Sequence, residues 1–283
     1  MEFHSESMKN KIFIGDSYKI LSELPDNCFQ LMVTSPPYWN VRDYGQEGQI
    51  GFYDSLDEYL FRLKQIWEQV VRTLLPDGKI ALNIANIYYN KDGEKRKTTA
   101  NISMLLWQQL NEIKDLHFMG TIYWQKTTSR DGSVLFGSYP YPSNFMISNA
   151  VEPIHVFRKK GTRRVEKEIK ERSKVSKEEF REFRDAIWNN INGVEDRHIA
   201  AYPIELPKRL IKMFSFWGDW ILDPFLGSGS TMKAANELER NCVGIELNPD
   251  YLNIIKSKVG YHQNDVFSKK EFKIEMEYDG AKS

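Results

Sequence analysis

Residues 220–246 constrain the fold more than any other stretch of this sequence. Residues 220–222 are a short apolar strand, Asp223-Pro224-Phe225-Leu226-Gly227-Ser228-Gly229-Ser230-Thr231 is a glycine-rich turn, residues 230–239 have helical periodicity, and residues 242–245 are a second strand. Strand, helix and strand in that order make a βαβ unit, whose strands lie parallel in one sheet with the helix on its face. The same alternation runs upstream, with strands at 11–14, 29–33, 79–84, 119–125 and 151–158 and helices at 18–24, 55–75, 102–113 and 206–214. An α/β fold built on a mostly parallel sheet follows.

Residues 126–196 break this rhythm. They hold a Gly/Pro/Tyr-rich loop at 136–143 and a helix-like basic stretch, and they read as an insertion. Between Arg158 and Arg184 there are twelve Lys/Arg against six Glu, although the whole chain balances 39 against 39. Such a stretch can neutralise phosphates locally, or it can be a solvated charged face.

Several classes drop out on composition. With 41% hydrophobic and 28% charged residues the chain is globular in character rather than disordered. No apolar run approaches the roughly 18 residues of a membrane span, and residues 1–11 contain no apolar signal core. Cys28 and Cys242 stand far apart and outside any CxxC, as expected of a reducing cytoplasm rather than a disulfide framework. The five histidines lack ligand spacing, so no metal site is expected.

Two turns carry chemistry. In the glycine-rich turn the backbone can approach a ligand closely, and the following helix offers unpaired N–H groups with partial positive charge. Glu246 closes the next strand, near the spacing at which an acidic side chain reaches ribose hydroxyls in nucleotide-binding βαβ units. The competing reading is a tight connection that needs glycine only for packing. The second turn, Thr34-Ser35-Pro36-Pro37-Tyr38-Trp39, ends an apolar strand, where open α/β sheets place their ligands. Two prolines hold it rigid and extended, so the Pro36 carbonyl is a fixed acceptor and Ser35 supplies a second. The pair suits both hydrogens of an exocyclic amine, while Tyr38 offers a face for stacking a base. Trp39 reads equally as pocket wall or core.

These residues resemble a known family. Thr34-Ser35-Pro36-Pro37-Tyr38 and residues 223–231 resemble motifs IV and I of the amino-methyltransferases of DNA, in the permuted order of the β group. Gly15-Asp16, Leu24-Pro25-Asp26, Leu75-Pro76-Asp77-Gly78, Trp124-Gln125-Lys126, Gly137-Ser138-Tyr139-Pro140 and the run from Glu152 to Phe157-Arg158-Lys159 are similar to its other segments. His198-Ile199-Ala200-Ala201-Tyr202-Pro203 resembles motif X.

The resemblance implies a Rossmann-like methyltransferase fold with a mostly parallel seven-stranded sheet. It implies a catalytic half at 1–126, a target-recognition insert at 127–196 and a cofactor-binding half at 197–283. S-adenosyl-L-methionine is the implied cofactor, with Asp223, Phe225, Gly227, Ser228 and Gly229 at its methionine part, Glu246 at its ribose, and Asp16 and His198 nearby. Asp16 has the simpler alternative of capping the next helix. Ser35, Pro36, Pro37 and Tyr38 are the implied catalytic residues. The implied partner is double-stranded DNA, with a flipped-out base as target and a cognate restriction endonuclease as a separate companion.

In this family serine at the position of Ser35 usually accompanies N4-cytosine methylation and aspartate accompanies adenine, so N4 of cytosine is expected and N6 of adenine is the alternative. C5 methylation needs a thiolate preceded by proline, whereas Cys28 follows Asn27 and Cys242 follows Asn241; both cysteines read as small buried hydrophobes. A nicotinamide oxidoreductase needs no Ser-Pro-Pro-Tyr turn. A glutamine-amide methyltransferase has asparagine where Ser35 stands and its cofactor motif first.

Overall fold

The computed structural model describes residues 10–94, 97–126, 141–142, 147, 149–191, 202–260 and 273–276. Eleven strands and eight α-helices follow one another as β1 (Lys11–Ile14), α1 (Ser17–Glu23), β2 (Phe29–Thr34), α2 (Leu56–Thr73), β3 (Leu74–Asn83), β4 (Ile87–Asn90), β5 (Lys97–Ala100), α3 (Ile102–Glu112), β6 (Leu116–Gln125), β7 (Val151–Lys159), α4 (Lys167–Arg172), α5 (Lys177–Phe183), β8 (Ile187–Trp188), α6 (Glu205–Phe214), β9 (Trp220–Asp223), α7 (Ser230–Glu237), β10 (Asn241–Glu246), α8 (Tyr251–Val259) and β11 (Lys273–Met276).

Nine strands form one sheet in the order β11-β1-β10-β9-β2-β3-β7-β6-β8, and β4 and β5 make a separate hairpin. The expected seven strands run from β1 to β6 in that order, with the short β11 and β8 added at the edges. Only β7 runs against the rest, pairing antiparallel with both β3 and β6. The turn expected at residues 75–78 lies inside β3 as an irregularity: Phe29 pairs with Leu74 and Leu31 with Lys79, and Asp77 takes a positive φ of 65°.

Every residue of β1 and β2 is buried, as befits strands covered on both faces. Their side chains alternate between two cores. Phe13, Met32, Leu82 and Val243 join α1, α2 and α3 on one face; Ile12, Leu31, Ala81 and Cys242 join α6, α7 and α8 on the other. Helix α2 shows why the chain takes these elements. Ser55 caps it with a reciprocal Glu58 capping box, and Tyr59, Leu63, Ile66, Trp67 and Val70 form one buried stripe. Each such side chain contributes about 1.5–3 kcal/mol by leaving water.

The connection after β2 leads to α2 on one face, and the one after β9 to α7 on the other. The neighbouring strands β2 and β9 therefore flank a topological switch point, where open α/β sheets leave a crevice at their carboxyl ends.

Within the range 127–196, β7 is an inner strand of the sheet and β8 its edge. No residue of the basic stretch lines the crevice. Because β7 is antiparallel, the chain leaves it at the opposite end of the sheet, where Lys159 Nζ donates to Leu74 O at 2.6 Å and Arg163 pairs with Asp219 at 2.5 Å, just ahead of β9; it returns toward the end of β6 only at β8. Arg172 then lies 3.7 Å over the Trp217 ring and pairs with Glu239 at 3.0 Å, while Glu179 pairs with Lys212 of α6. Three of the twelve cations, Lys159, Arg163 and Arg172, are thus engaged within the protein.

Candidate active site

The two turns face each other across one cleft of about 980 Å³, counted out to its open mouth. Ser35, Pro36, Pro37 and Tyr38 form one wall, and Phe225, Gly227 and Ser228 form another, with Glu246 and Asp16 beside them. All four expected catalytic residues line the cleft. The proline turn is held in place from behind: Tyr59 donates its hydroxyl to Pro37 O at 2.9 Å. No hydrogen bond from the described residues reaches the Pro36 carbonyl. The Tyr38 phenol is buried and its pKa raised well above the ordinary value, chiefly by desolvation and also by Glu152.

Trp39 resolves to the core. It is 9% exposed, donates to Asp54 O at 2.9 Å and packs edge-on to Tyr89.

Among the expected cofactor residues the structure separates those at the cleft from those behind it. Gly227 has a φ of 53°, and a Cβ built on it would meet only Phe225 O at 3.9 Å, so any side chain would intrude on the space beside the turn. The Phe225 ring packs edge-on against Trp67 of α2. Glu246 accepts from Gly227 N at 2.8 Å and from Asn248 N at 2.9 Å, and burial raises its pKa to about 7. Asp16 both lines the cleft and caps α1, accepting from Lys19 N at 2.9 Å.

Asp223 does not line the cleft. It is 1% exposed, and its carboxylate accepts from Thr34 Oγ1 at 2.6 Å, Phe225 N at 3.1 Å, Thr231 Oγ1 at 2.6 Å and Tyr202 Oη at 3.3 Å. With these donors its acceptor capacity is used internally, and burial raises its pKa. Gly229 also stands back: it caps α7 in a left-handed conformation with φ 86°, and a Cβ there would lie 3.2 Å from Ile255. Its glycine serves packing between α7 and α8. His198 lies outside the described residues. Cys242 is buried and Cys28 half-buried, with desolvation pushing Cys28 up to about 12 and Cys242 well above its usual value.

The sequence reading missed several cleft residues. Ser17 donates to Pro224 O at 2.6 Å, joining β1's end to the glycine turn. Tyr44 and Gln49 bring residues 40–50 to the mouth, where Asn248 Nδ2 donates to Tyr44 O at 3.1 Å. Asn248-Pro249-Asp250 was the available signal, since it reads as a helix start and leads into α8. From α8, Lys258 Nζ donates to Ser228 Oγ at 2.8 Å and Ser230 Oγ at 3.1 Å, placing a cation beside the turn.

A carboxylate at ribose spacing, an apolar aromatic wall, an open cradle at Gly227 and a helix N-terminus with a nearby cation fit an adenosine bearing a charged amino-acid tail. Fold and cleft together define a methyltransferase of the Rossmann-like class with S-adenosyl-L-methionine as its cofactor. Residues 29–257 match the family model of DNA methylases, the N6/N4 amino-methyltransferases, and the chain belongs to that family. It is 30% identical to the Type II methyltransferase M.MjaI of Methanocaldococcus jannaschii over 91% of this chain and 93% of that one. Against M.SmaI of Serratia marcescens the identity is 30%, over 88% and 90% of the two chains. TTHA0409 of Thermus thermophilus, solved in complex with S-adenosyl-L-methionine, superimposes with a TM-score of 0.76 at 28% identity, covering 94% of this chain and 97% of its own.

Proposed function

We propose that this DNA methyltransferase methylates N4 of cytosine, flipped out of duplex DNA into the cleft beside Ser35. The observation that carries this reading is Ser35 itself: the side chain next to the Pro36 carbonyl is a neutral hydroxyl, not a carboxylate, and both face the cleft opposite Phe225 and Glu246.

An amine conjugated to a pyrimidine ring is a poor nucleophile because its lone pair is delocalised. Ser35 Oγ and Pro36 O each accept one N–H, which favours a pyramidal nitrogen and directs its lone pair across the cleft. Bound S-adenosyl-L-methionine supplies an electrophilic sulfonium methyl. Glu246 would hold the ribose hydroxyls, and Ser228 with the N-terminus of α7 would hold the amino-acid tail. Positioning of the two reactants is worth up to about 7–11 kcal/mol toward a barrier. Base flipping costs a few kcal/mol, which stacking on Tyr38 helps offset.

DNA recognition belongs to the insert at 127–196, whose flanking strands open toward the cleft. The chain leaves β6 at Gln125 and enters β7 at Val151, a register pair at the carboxyl ends of the parallel strands, the end that carries the cleft. A role in restriction–modification, beside a separate endonuclease, is supported by the Type II relatives.

Ser35→Ala tests the site. Methyl transfer to genomic DNA should fall by about a hundredfold with cofactor affinity unchanged; a variant as active as the wild type would remove Ser35 from the reaction.

A further inference from the structure

Residues 40–54, which follow the catalytic turn without regular secondary structure, supply a wall of the cleft through Tyr44, Gln46, Gly48, Gln49 and Ile50. The segment is shaped from within. Asn40 N donates to Gly51 O at 2.9 Å and closes its neck. The buried Gln49 ties its interior, with Oε1 accepting from Tyr44 N at 2.7 Å and Nε2 donating to Arg42 O at 3.0 Å. These bonds give the segment its form but do not fix it to the body of the protein.

Helix α2 does that through Arg62, which does not itself line the cleft. Arg62 Nη1 donates to Gln49 O at 3.0 Å and to the two carboxylate oxygens of Asp54 at 3.1 and 3.0 Å, and Nη2 donates to Gly48 O. Asp54 also accepts from Gly51 N at 2.8 Å. A guanidinium is a rigid planar fork, so this one side chain fixes two successive carbonyls and a carboxylate relative to the helix. Tyr59, almost one turn earlier on α2, holds the catalytic turn by its bond to Pro37 O. Gly51 joins the two: a Cβ there would stand 3.3 Å from the Tyr59 ring and 3.4 Å from Tyr38 O, at a φ of 102°. One helix therefore carries the catalytic turn through Tyr59 and the facing wall through Arg62.

We propose that Arg62 is a positioning residue for S-adenosyl-L-methionine, holding residues 48–51 as a preformed wall so that the cofactor enters a cleft already in its binding shape. Without the guanidinium the carbonyls of Gly48 and Gln49 and the carboxylate of Asp54 lose their shared partner, and the wall is released. Ordering it again on binding is then taken from the binding free energy, and the apparent affinity falls by the fraction of molecules in which the wall stands. The transfer step changes little once the cofactor is bound, because Tyr59 still holds Pro37. The proposal rests on the cleft as the cofactor site and does not depend on which amino base enters it.

The test is titration of Arg62→Met and Arg62→Lys with S-adenosyl-L-methionine, alongside single-turnover methyl transfer to genomic DNA at saturating cofactor. Methionine keeps an apolar stem and removes every donor. Its expected Kd for the cofactor is about tenfold above wild type, with the saturated rate within about threefold. Lysine keeps the charge beside Asp54 but cannot fork to both carbonyls, so Arg62→Lys should fall between the two; it also carries the test should the methionine variant fail to fold. A side chain that only stabilised the fold would behave differently, lowering the urea midpoint of the cofactor-free protein while the folded molecules bound as tightly as wild type. A Kd within about twofold of wild type in the folded variant, or a saturated rate that falls while the Kd stays unchanged, would overturn the proposal.

Discussion

Thr34 Oγ1 donates to Asp223 Oδ1 at 2.6 Å, across 189 positions of sequence. Thr34 ends β2, whose continuation is the proline turn; Asp223 ends β9, whose continuation is the glycine turn. One buried hydrogen bond therefore sets the spacing between the group that holds the base and the group that holds the cofactor.

Replacing Asp223 by alanine should cost the protein stability as well as activity. It would leave the buried hydroxyls of Thr34 and Thr231 and the N–H of Phe225 without their acceptor. Each such orphaned group costs about 1–3 kcal/mol, and relaxation recovers part of the sum. We expect unfolding in urea to show a loss of about 3 kcal/mol. A loss under about 1 kcal/mol would mean that the carboxylate does not bind the two turns together.

Glu246 makes cofactor binding depend on pH. Its pKa in the free protein is raised from 4.5 to about 7 by burial. A carboxyl group raised in this way contributes stability at low pH that is lost as pH rises from about 4.5 through about 7, with a ceiling on the order of 3 kcal/mol. Ribose hydroxyls donate to the ionised form, so binding below pH 7 must expel a proton. Calorimetric titrations at pH 6 in buffers of different ionisation enthalpy should show about one proton released, falling toward zero at pH 8. The same proton release at both values, or none at either, would exclude Glu246 as the ribose acceptor. Glu246→Gln, whose amide can accept from only one of the Gly227 and Asn248 N–H groups, should weaken the hold on the cofactor and abolish the proton release at pH 6.

The two glycines of the cofactor turn should respond differently. At Gly229, φ 86° and the 3.2 Å approach to Ile255 both oppose a side chain, yet the residue lies off the cleft. Gly229→Ala should lower unfolding stability by about 1–2 kcal/mol and leave the cofactor dissociation constant within about twofold. Gly227→Ala places its methyl beside the ligand and should weaken binding directly. Reversed effects, measured by thermal unfolding and cofactor titration, would contradict the division between lining and packing glycines.

Much of the site was legible in sequence because its turns are built from residues with restricted chemistry. Pro36 and Pro37 cannot continue a strand, and Gly227 and Gly229 take backbone angles that other residues avoid, so both turns announce themselves locally. The nearly continuous apolar runs of β1 and β2 likewise mark strands covered on two faces. What could not be read depends on which distant segments meet. Asp223 resembled a ligand contact, but three hydroxyls brought in from Thr34, Thr231 and Tyr202 turn it into an internal bracket. The charge of residues 158–184 could be read as a phosphate-binding or a solvated face, and the antiparallel direction of β7 carries its first part, at Lys159 and Arg163, to the far end of the sheet. Lys126 and Glu152 are adjacent only because β6 and β7 pair, and β8 has just two residues, too few to leave a periodic signal.

The most direct measurement is the chemical identity of the methylated nucleoside. Purified protein, S-adenosyl-L-methionine carrying a labelled methyl group and unmethylated genomic DNA should give label in N4-methylcytosine after digestion and mass spectrometry, with the label lost in Ser35→Ala. Label in N6-methyladenine, or in 5-methylcytosine, would contradict the account of Ser35 and Pro36 as holders of a cytosine amine.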